Sequence, residues 1–379
     1  MQSPTIPTTT TSTTPSPPPP LLYAQITISE YLRCEHILHL ENIYKITIPI
    51  TYFNIASIGI LFSFVLLGCC YLYKLFSHKQ ICTCKLCRGN YKIISHLNEG
   101  GFGEIYKVLH KNTYYILKKC KTENISEADD LLIEAKHLRV LSHKNIVKYH
   151  DDFIHIEYIK GKIEPLVYVI IIMEYCEGGD LKELIDKRFY ANEPFSNEEI
   201  IHILIQLCEG LSYIHHKNII HRDIKSQNIF FTKDGILRIG DFGLARKIKK
   251  NRKLNTSMTK VGTDCYMAPE VMRNRRYGSP ADVWSFGCVV EELLTLTFVW
   301  QYENIIAVEA MINKNFIDLY LNDINCDKYN YTMFKEMLRK IFVFEPEKRD
   351  SIDTILYKLH KERKKIQNLK ATITLNKHY

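Results

Sequence analysis

Between Ile46 and Tyr73 the chain carries no charged side chain. The central 24 residues, ITYFNIASIGILFSFVLLGCCYLY from Ile50 to Tyr73, would reach about 36 Å as a helix at ~1.5 Å per residue. That length crosses a hydrocarbon layer of ~30 Å with some tilt. A helix this long has no polar face to offer water, and a cleaved leader would lie at the extreme N-terminus with a shorter apolar region. The expectation is a transmembrane helix over 48–74. It divides the rest of the chain into a tail of residues 1–45 and everything from residue 75 onward.

The flanks give the orientation. Lys74, Lys79, Lys85, Arg88 and Lys92 follow the span, whereas the 15 residues before Ile50 hold one basic residue, Lys45. The positive-inside rule places the C-terminal part in the cytosol. The tail holds seven of the 13 prolines and seven threonines within its first 20 residues, so it lacks the apolar side chains that would offset its ordering entropy. It is expected to be disordered, extracytosolic and too small for a folded ligand-binding domain.

Residues 75–90 read as a juxtamembrane linker containing CTCKLC, with Cys82, Cys84 and Cys87. Three thiols can contribute to a zinc site, but a closed site takes four ligands, and His78 is the one nearby candidate in sequence. Palmitoylation of these cysteines is the other functional reading. The 12 cysteines as a set show no disulfide-framework spacing, which fits a reducing compartment. The formal charge of +8 is mild and no Arg-rich block points to nucleic acid. Basic residues do gather at 358–370, KLHKERKKIQNLK, as a solvated helix end or tail.

Beyond residue 90 the pattern is strand-rich, then helical. YKIISHLNEGGFGEIYKVLHKNTYYILKKC alternates apolar and polar positions around a Gly-rich turn and reads as three strands. Gly100 and Gly103 allow backbone N–H groups to approach a phosphate. Lys118 follows in a strand, and Glu134 comes next on a helix whose Leu132, Leu138 and Leu141 mark an apolar face. Further on, IIHRDIKSQNIFF packs His221, Arg222, Asp223, Lys225 and Asn228 between apolar anchors, and DFG follows at 241–243.

This order of motifs resembles the eukaryotic protein kinases over residues 91–360. HRDIKSQN matches the family's catalytic loop, DFG its metal-binding turn, and APE at 268–270 the end of its activation segment. MEYCEGGDL and HRDIKSQNIFFTKDG look most like the NIMA-related serine/threonine branch. The resemblance implies an α+β, bilobal protein-kinase fold, with a small β-rich lobe and a large helical lobe, ATP and Mg²⁺ as cofactors, and protein substrates. It implies that Asp223 accepts or orients the proton of the attacking hydroxyl while Lys225 steadies the γ-phosphate. Asn228 and Asp241 would hold Mg²⁺, and Lys118, oriented by Glu134, the phosphates.

By the same resemblance Leu97, Ile105 and Phe230 enclose the adenine, and Met173 is the gatekeeper. The Glu174 carbonyl and the Cys176 backbone bond the adenine edge, and Asp180 the ribose. Lys225 in the catalytic loop and Gly262 with Thr263 before APE mark a Ser/Thr acceptor. Thr259, with Thr256 and Ser257 as fallbacks, is the expected activating phosphosite, opposite Arg222 and phosphorylated in trans during transient self-association. Glu270 and Arg349 are expected to pair, and Asp282 to brace the catalytic loop. His221 reads as a packing residue of that loop.

Three departures stand out. Asn98 replaces the first glycine of the loop, where tolerance of positive φ would preserve the turn. Ile116 replaces a small residue near the adenine, and DDFIHIEYIKGKIEPLVYVIIIMEY implies an extended hairpin. A pseudokinase scaffold, or a stress-type kinase acting on a translation initiation factor, are the alternatives.

Overall fold

The computed structural model describes residues 82–100, 103–122, 128, 131–132, 135, 139–159, 165–242, 246–247, 266–273, 278–297 and 332–376. The span expected over 48–74, with the tail before it and His78 after it, lies outside them. Among the described residues no helix is long and apolar enough to cross a membrane.

Five antiparallel strands form one sheet in the order β1-β2-β3-β5-β4. They are β1 (Lys92–Gly100), β2 (Gly103–His110), β3 (Thr113–Thr122), β4 (Tyr149–Glu157) and β5 (Leu166–Glu174). The Gly-rich segment joins β1 to β2 as read from the alternation, with Gly100 opposite Gly103. The long hydrophobic stretch is the β4–β5 hairpin, registered from Tyr149–Met173 to Glu157–Leu166. Val108, Leu117, Ile170 and Ile172 project from one face of the sheet into a cluster with Tyr91 and Tyr168. Period-2 alternation puts these residues on one side together, and burying them holds the sheet.

The larger lobe is helical: α1 (Leu181–Ala191), α2 (Asn197–His216), α3 (Pro269–Met272), α4 (Ser279–Thr295), α5 (Thr332–Ile341) and α6 (Ile352–Asn376). Asp180 and Ser196 start α1 and α2 as reciprocal capping boxes with Glu183 and Glu199. Helix α4 is buried on nearly every side from Ala281 to Leu294, so it forms the centre of this lobe. The basic stretch 358–370 lies within α6, which continues past residue 360 without a break; its Lys370 pairs with Glu198 of α2 at 2.6 Å. Short strands β6 (Ile219–Ile220), β7 (Ile229–Phe231), β8 (Leu237–Ile239) and β9 (Arg246–Lys247) carry the loops that matter for chemistry.

Two local expectations change. Asn98 is a β1 residue opposite Ile105, next to a register shift between His96 and Asn98 and absent from the positive-φ positions, and its Oδ1 accepts the Glu99 N–H at 2.8 Å. Left-handed tolerance is therefore irrelevant there. Gly103 does need to be glycine, at φ +116°, but chiefly because a Cβ would sit 2.3 Å from the Lys119 carbonyl oxygen of β3. Strand packing, besides any approach to phosphate, fixes that position.

Candidate active site

The loop between β6 and β7 is anchored by side chains with no escape to water. Ile219, Ile220, Ile224 and Ile229 are each at most 2% exposed, and Phe231 is also buried. These anchors hold Asp223 in the interior, 4% exposed. Its Oδ2 accepts from Lys225 Nζ at 2.8 Å and from Asn228 Nδ2 at 2.8 Å. Asn228 Nδ2 also donates to the Asp223 carbonyl at 2.7 Å, within a 3₁₀ turn over Ser226–Asn228. Asp223 Oδ1 is buried and has no hydrogen-bond partner among the described residues. A buried carboxylate oxygen without a partner is costly and calls for a functional explanation.

Asp282 holds the loop from below. At the first turn of α4 and 1% exposed, it accepts from the backbone N–H of His221 at 2.9 Å and of Arg222 at 2.8 Å, and from His215 Nε2 at 2.8 Å. Burial works against its charge, yet these donors and the His215 charge hold its carboxyl below the usual range. His221 is fully buried. Its Nε2 donates to the Gly240 carbonyl at 2.9 Å and its Nδ1 accepts from the Asp223 N–H at 3.3 Å. Burial lowers its pKa, so the ring is neutral and works as a spacer, as a packing residue should. Arg222 and Asp241 both sit at positive φ, +75° and +53°. Local strain of this kind clusters where the fold aims a side chain at a functional position.

Asp241 follows β8, and the β7–β8 pairing sets Gly240 against Asn228 through an N–H to carbonyl bond of 2.9 Å. Its Oδ1 accepts from Lys118 Nζ at 2.9 Å, across 123 residues of chain. Partial burial raises the Asp241 pKa, but the Lys118 charge and hydrogen bond, with His221 and Lys225 nearby, bring it down to about 2. The carboxylate is ionised throughout the physiological range. The Asp241 carboxylate and the Asn228 side-chain oxygen Oδ1 are hard donors of the type Mg²⁺ takes, so the residues present fit that ion.

Glu134 lies outside the described residues, although Leu131, Leu132 and Ala135 around it are helical. Thr256, Ser257, Thr259, Gly262 and Thr263 also lie outside them.

The residues expected around the nucleotide lie on β1, β2, β3, β5 and β7 and on the segment leading from β5 to α1. Ile105 is paired with Lys118 across β2–β3, and Ile116 with Met173 across β3–β5. Phe230 bridges to Asp180, and Cys176 is buried where β5 leads toward α1. Leu97 is 48% exposed on β1. Glu174 already holds Arg238 with its side chain at 3.1 Å, and its backbone N–H donates to the Lys148 carbonyl at 2.9 Å. Asp180 accepts the Glu183 N–H at 2.9 Å as the cap of α1, so it carries a structural duty besides the ribose contact expected of it. Glu270 and Arg349 meet in a bidentate pair at 2.7 and 2.8 Å.

Behind the loop lies a network that the sequence did not single out. Tyr266 Oη donates to Glu292 at 2.7 Å, and Ser226 Oγ lies 3.3 Å from Glu292 and 3.1 Å from Tyr266. The signal was there, in two adjacent glutamates inside the apolar helix α4. Burial pushes the Glu292 pKa from 4.5 up to about 7, against the lowering effect of the Tyr266 and Ser226 bonds. The folded state thus binds this proton more tightly than the unfolded chain, and the stabilisation, full below about pH 4.5, is lost as pH rises through 7. Relative to Glu292→Gln, the wild type should lose up to about 3 kcal/mol between pH 5 and 8 in denaturant titrations. A pH-independent difference between the two proteins would contradict this.

With this geometry in place, comparison with known proteins is informative. The protein kinase domain family matches residues 91–360. Mouse serine/threonine-protein kinase Nek1 is 33% identical over 273 residues, 71% of this chain and 21% of that protein. Serine/threonine-protein kinase Nek3 of Oryza sativa subsp. japonica is 38% identical over 209 residues, 54% of this chain and 34% of that protein. A probable serine/threonine-protein kinase nek3 of Dictyostelium discoideum is 32% identical over 278 residues, covering 70% and 23%. The chain spans between about a fifth and a third of the length of these relatives. Its motifs, its two-lobed architecture and these matches agree: the chain belongs to the protein kinase family, in its NIMA-related serine/threonine branch.

Proposed function

We propose that the protein transfers the γ-phosphate of ATP to serine or threonine hydroxyls of other proteins. The observation that carries this reading is Asp223, whose Oδ2 is fixed by Lys225 and Asn228 while Oδ1 has no partner among the described residues. Oδ1 receives the proton of the incoming hydroxyl, and Lys225 balances charge as the phosphoryl group moves. Asp241 and Asn228 would hold Mg²⁺, Lys118, bonded to Asp241, would hold phosphate oxygens, and the Gly-rich segment at Gly100 and Gly103 would contribute backbone N–H groups to them. When bound, ATP would supply the transferable phosphoryl group and Mg²⁺ would offset its negative charge. Phosphoamino-acid analysis of a generic protein substrate should find label on serine and threonine; label on tyrosine alone would overturn the acceptor class.

Two regulatory features complete the proposal. The apolar run over 48–74 anchors the kinase domain to a membrane, with that domain in the cytosol, supported by its length and its basic C-terminal flank. The full chain should stay with membranes through alkaline carbonate extraction. Thr259, four residues before Thr263, is phosphorylated in trans by a second copy and placed against Arg222, adding close to two negative charges and several acceptors. Thr259→Ala should lower transfer at least tenfold, whereas full activity would remove the site.

A further inference from the structure

The three juxtamembrane cysteines do find a fourth ligand, and it comes from the far side of the small lobe. The Sγ atoms of Cys82, Cys84 and Cys87 and a ring nitrogen of His155 all lie within 4.8 Å of one another. His155 belongs to β4, 68 residues beyond Cys87. We propose that this Cys₃His cluster binds a zinc ion that fastens the segment between membrane span and kinase domain onto strand β4.

The geometry points to a cation at the centre. Cys84 Sγ lies 3.4 Å and Cys87 Sγ 3.5 Å from the same His155 Nδ1. That nitrogen has one lone pair, so it cannot accept from two thiols at full strength. A tetrahedral zinc with bonds of ~2.3 Å to sulfur and ~2.0–2.1 Å to nitrogen places such atoms about 3.6 Å apart, which satisfies both contacts at once. Three thiolates and an imidazole make a soft, closed set, suited to structural zinc and not to Mg²⁺ or Ca²⁺.

The surroundings support the ligands. Cys82 Sγ accepts the backbone N–H of Ile156 at 3.3 Å, a bond that stabilises a thiolate and also covers an N–H on the sheet's edge strand. Cys84 to Asn90 fold into a compact turn, with Arg88 N–H bonded to the Cys84 carbonyl at 3.0 Å and Asn90 N–H to the Lys85 carbonyl at 3.0 Å. Gly89 closes it at φ +77°. The turn is clamped to β4 a second time by Lys85, whose Nζ lies 2.6 Å from Asp151, a carboxylate that also accepts from Tyr91 Oη at 3.0 Å. Leu86 and Tyr91 pack on the outer sheet cluster. The segment is therefore built onto the small lobe, and the ion would lock it there.

The test uses the full chain, purified in detergent under reducing conditions from zinc-supplemented cells. Elemental analysis should find about one zinc per chain, and exchange with cobalt should give the intense absorption of a tetrahedral thiolate site. Cys84→Ser and His155→Ala should each lower zinc content at least tenfold, while His96→Ala, an exposed histidine of β1, should retain it. Wild-type protein with less than a tenth of an equivalent of metal would overturn the proposal. So would full metal content in both ligand variants, or a disulfide among the three cysteines in the intact mass. The wild-type measurements decide the question even if a variant fails to fold.

Discussion

Arg349→Ala is expected to lower the stability of the kinase domain by about 3–5 kcal/mol. The guanidinium is completely buried and donates to both Glu270 oxygens at 2.7 and 2.8 Å. It also donates to the carbonyls of Val343 at 2.8 Å, Pro280 at 3.0 Å and Phe344 at 3.3 Å, and lies 5.1 Å from the centre of the Trp284 ring. Removing it strands a buried carboxylate and three part-buried carbonyls. A lysine would not restore the arrangement, because one ammonium lacks the planar five-donor fork that serves these acceptors together. The charge-free double variant, Glu270→Ala with Arg349→Ala, should be less destabilised than the sum of its parts, since the orphaned partner is gone. Denaturant titration of the four proteins measures this, and additive effects would show that the pair is not coupled.

The sheet and the catalytic loop were legible because their signals are local. Alternation in 91–120 points to three strands, and Ile219, Ile220, Ile229 and Phe231 stand out as anchors by flanking a polar cluster with apolar residues. Glu270 with Arg349, and Asp282 beneath the loop, could be named only through the family resemblance, because no spacing rule links residues 79 positions apart. What escaped was of the same long-range kind without a motif to carry it. His155 carries no local signal of a ligand, and the role proposed for it follows only from where β4 lies beside the Cys82–Cys87 segment. Asp180 owes its ribose expectation to the family resemblance, whereas its capping of α1 with Glu183 follows from the local spacing in GGDLKE. The positive φ of Arg222 and Asp241 left no trace in composition, since strain is imposed by the surroundings.

The second large effect concerns Asp223. Replacing it with asparagine keeps the shape and an acceptor for Lys225 and Asn228, so the loop should remain in place. What disappears is the anionic Oδ1, the atom with no partner among the described residues. Loss of a positioned base typically slows a step by about 10²–10⁴-fold. In the proposed mechanism Asp241, Asn228 and Lys118 bind Mg²⁺ and ATP, so the variant should keep the thermal stabilisation that Mg²⁺ with ATP is expected to give the wild type. A fall in rate with nucleotide binding intact separates lost chemistry from lost folding.

The most direct measurement is the rate of phosphate transfer from radiolabelled ATP to a generic serine/threonine substrate, by the full chain and by its Asp223→Asn variant, at saturating ATP and Mg²⁺. The account predicts transfer by the wild type and a rate at least a hundredfold lower in the variant. Equal rates, or no transfer by a wild-type protein that binds Mg²⁺ and ATP, would contradict it.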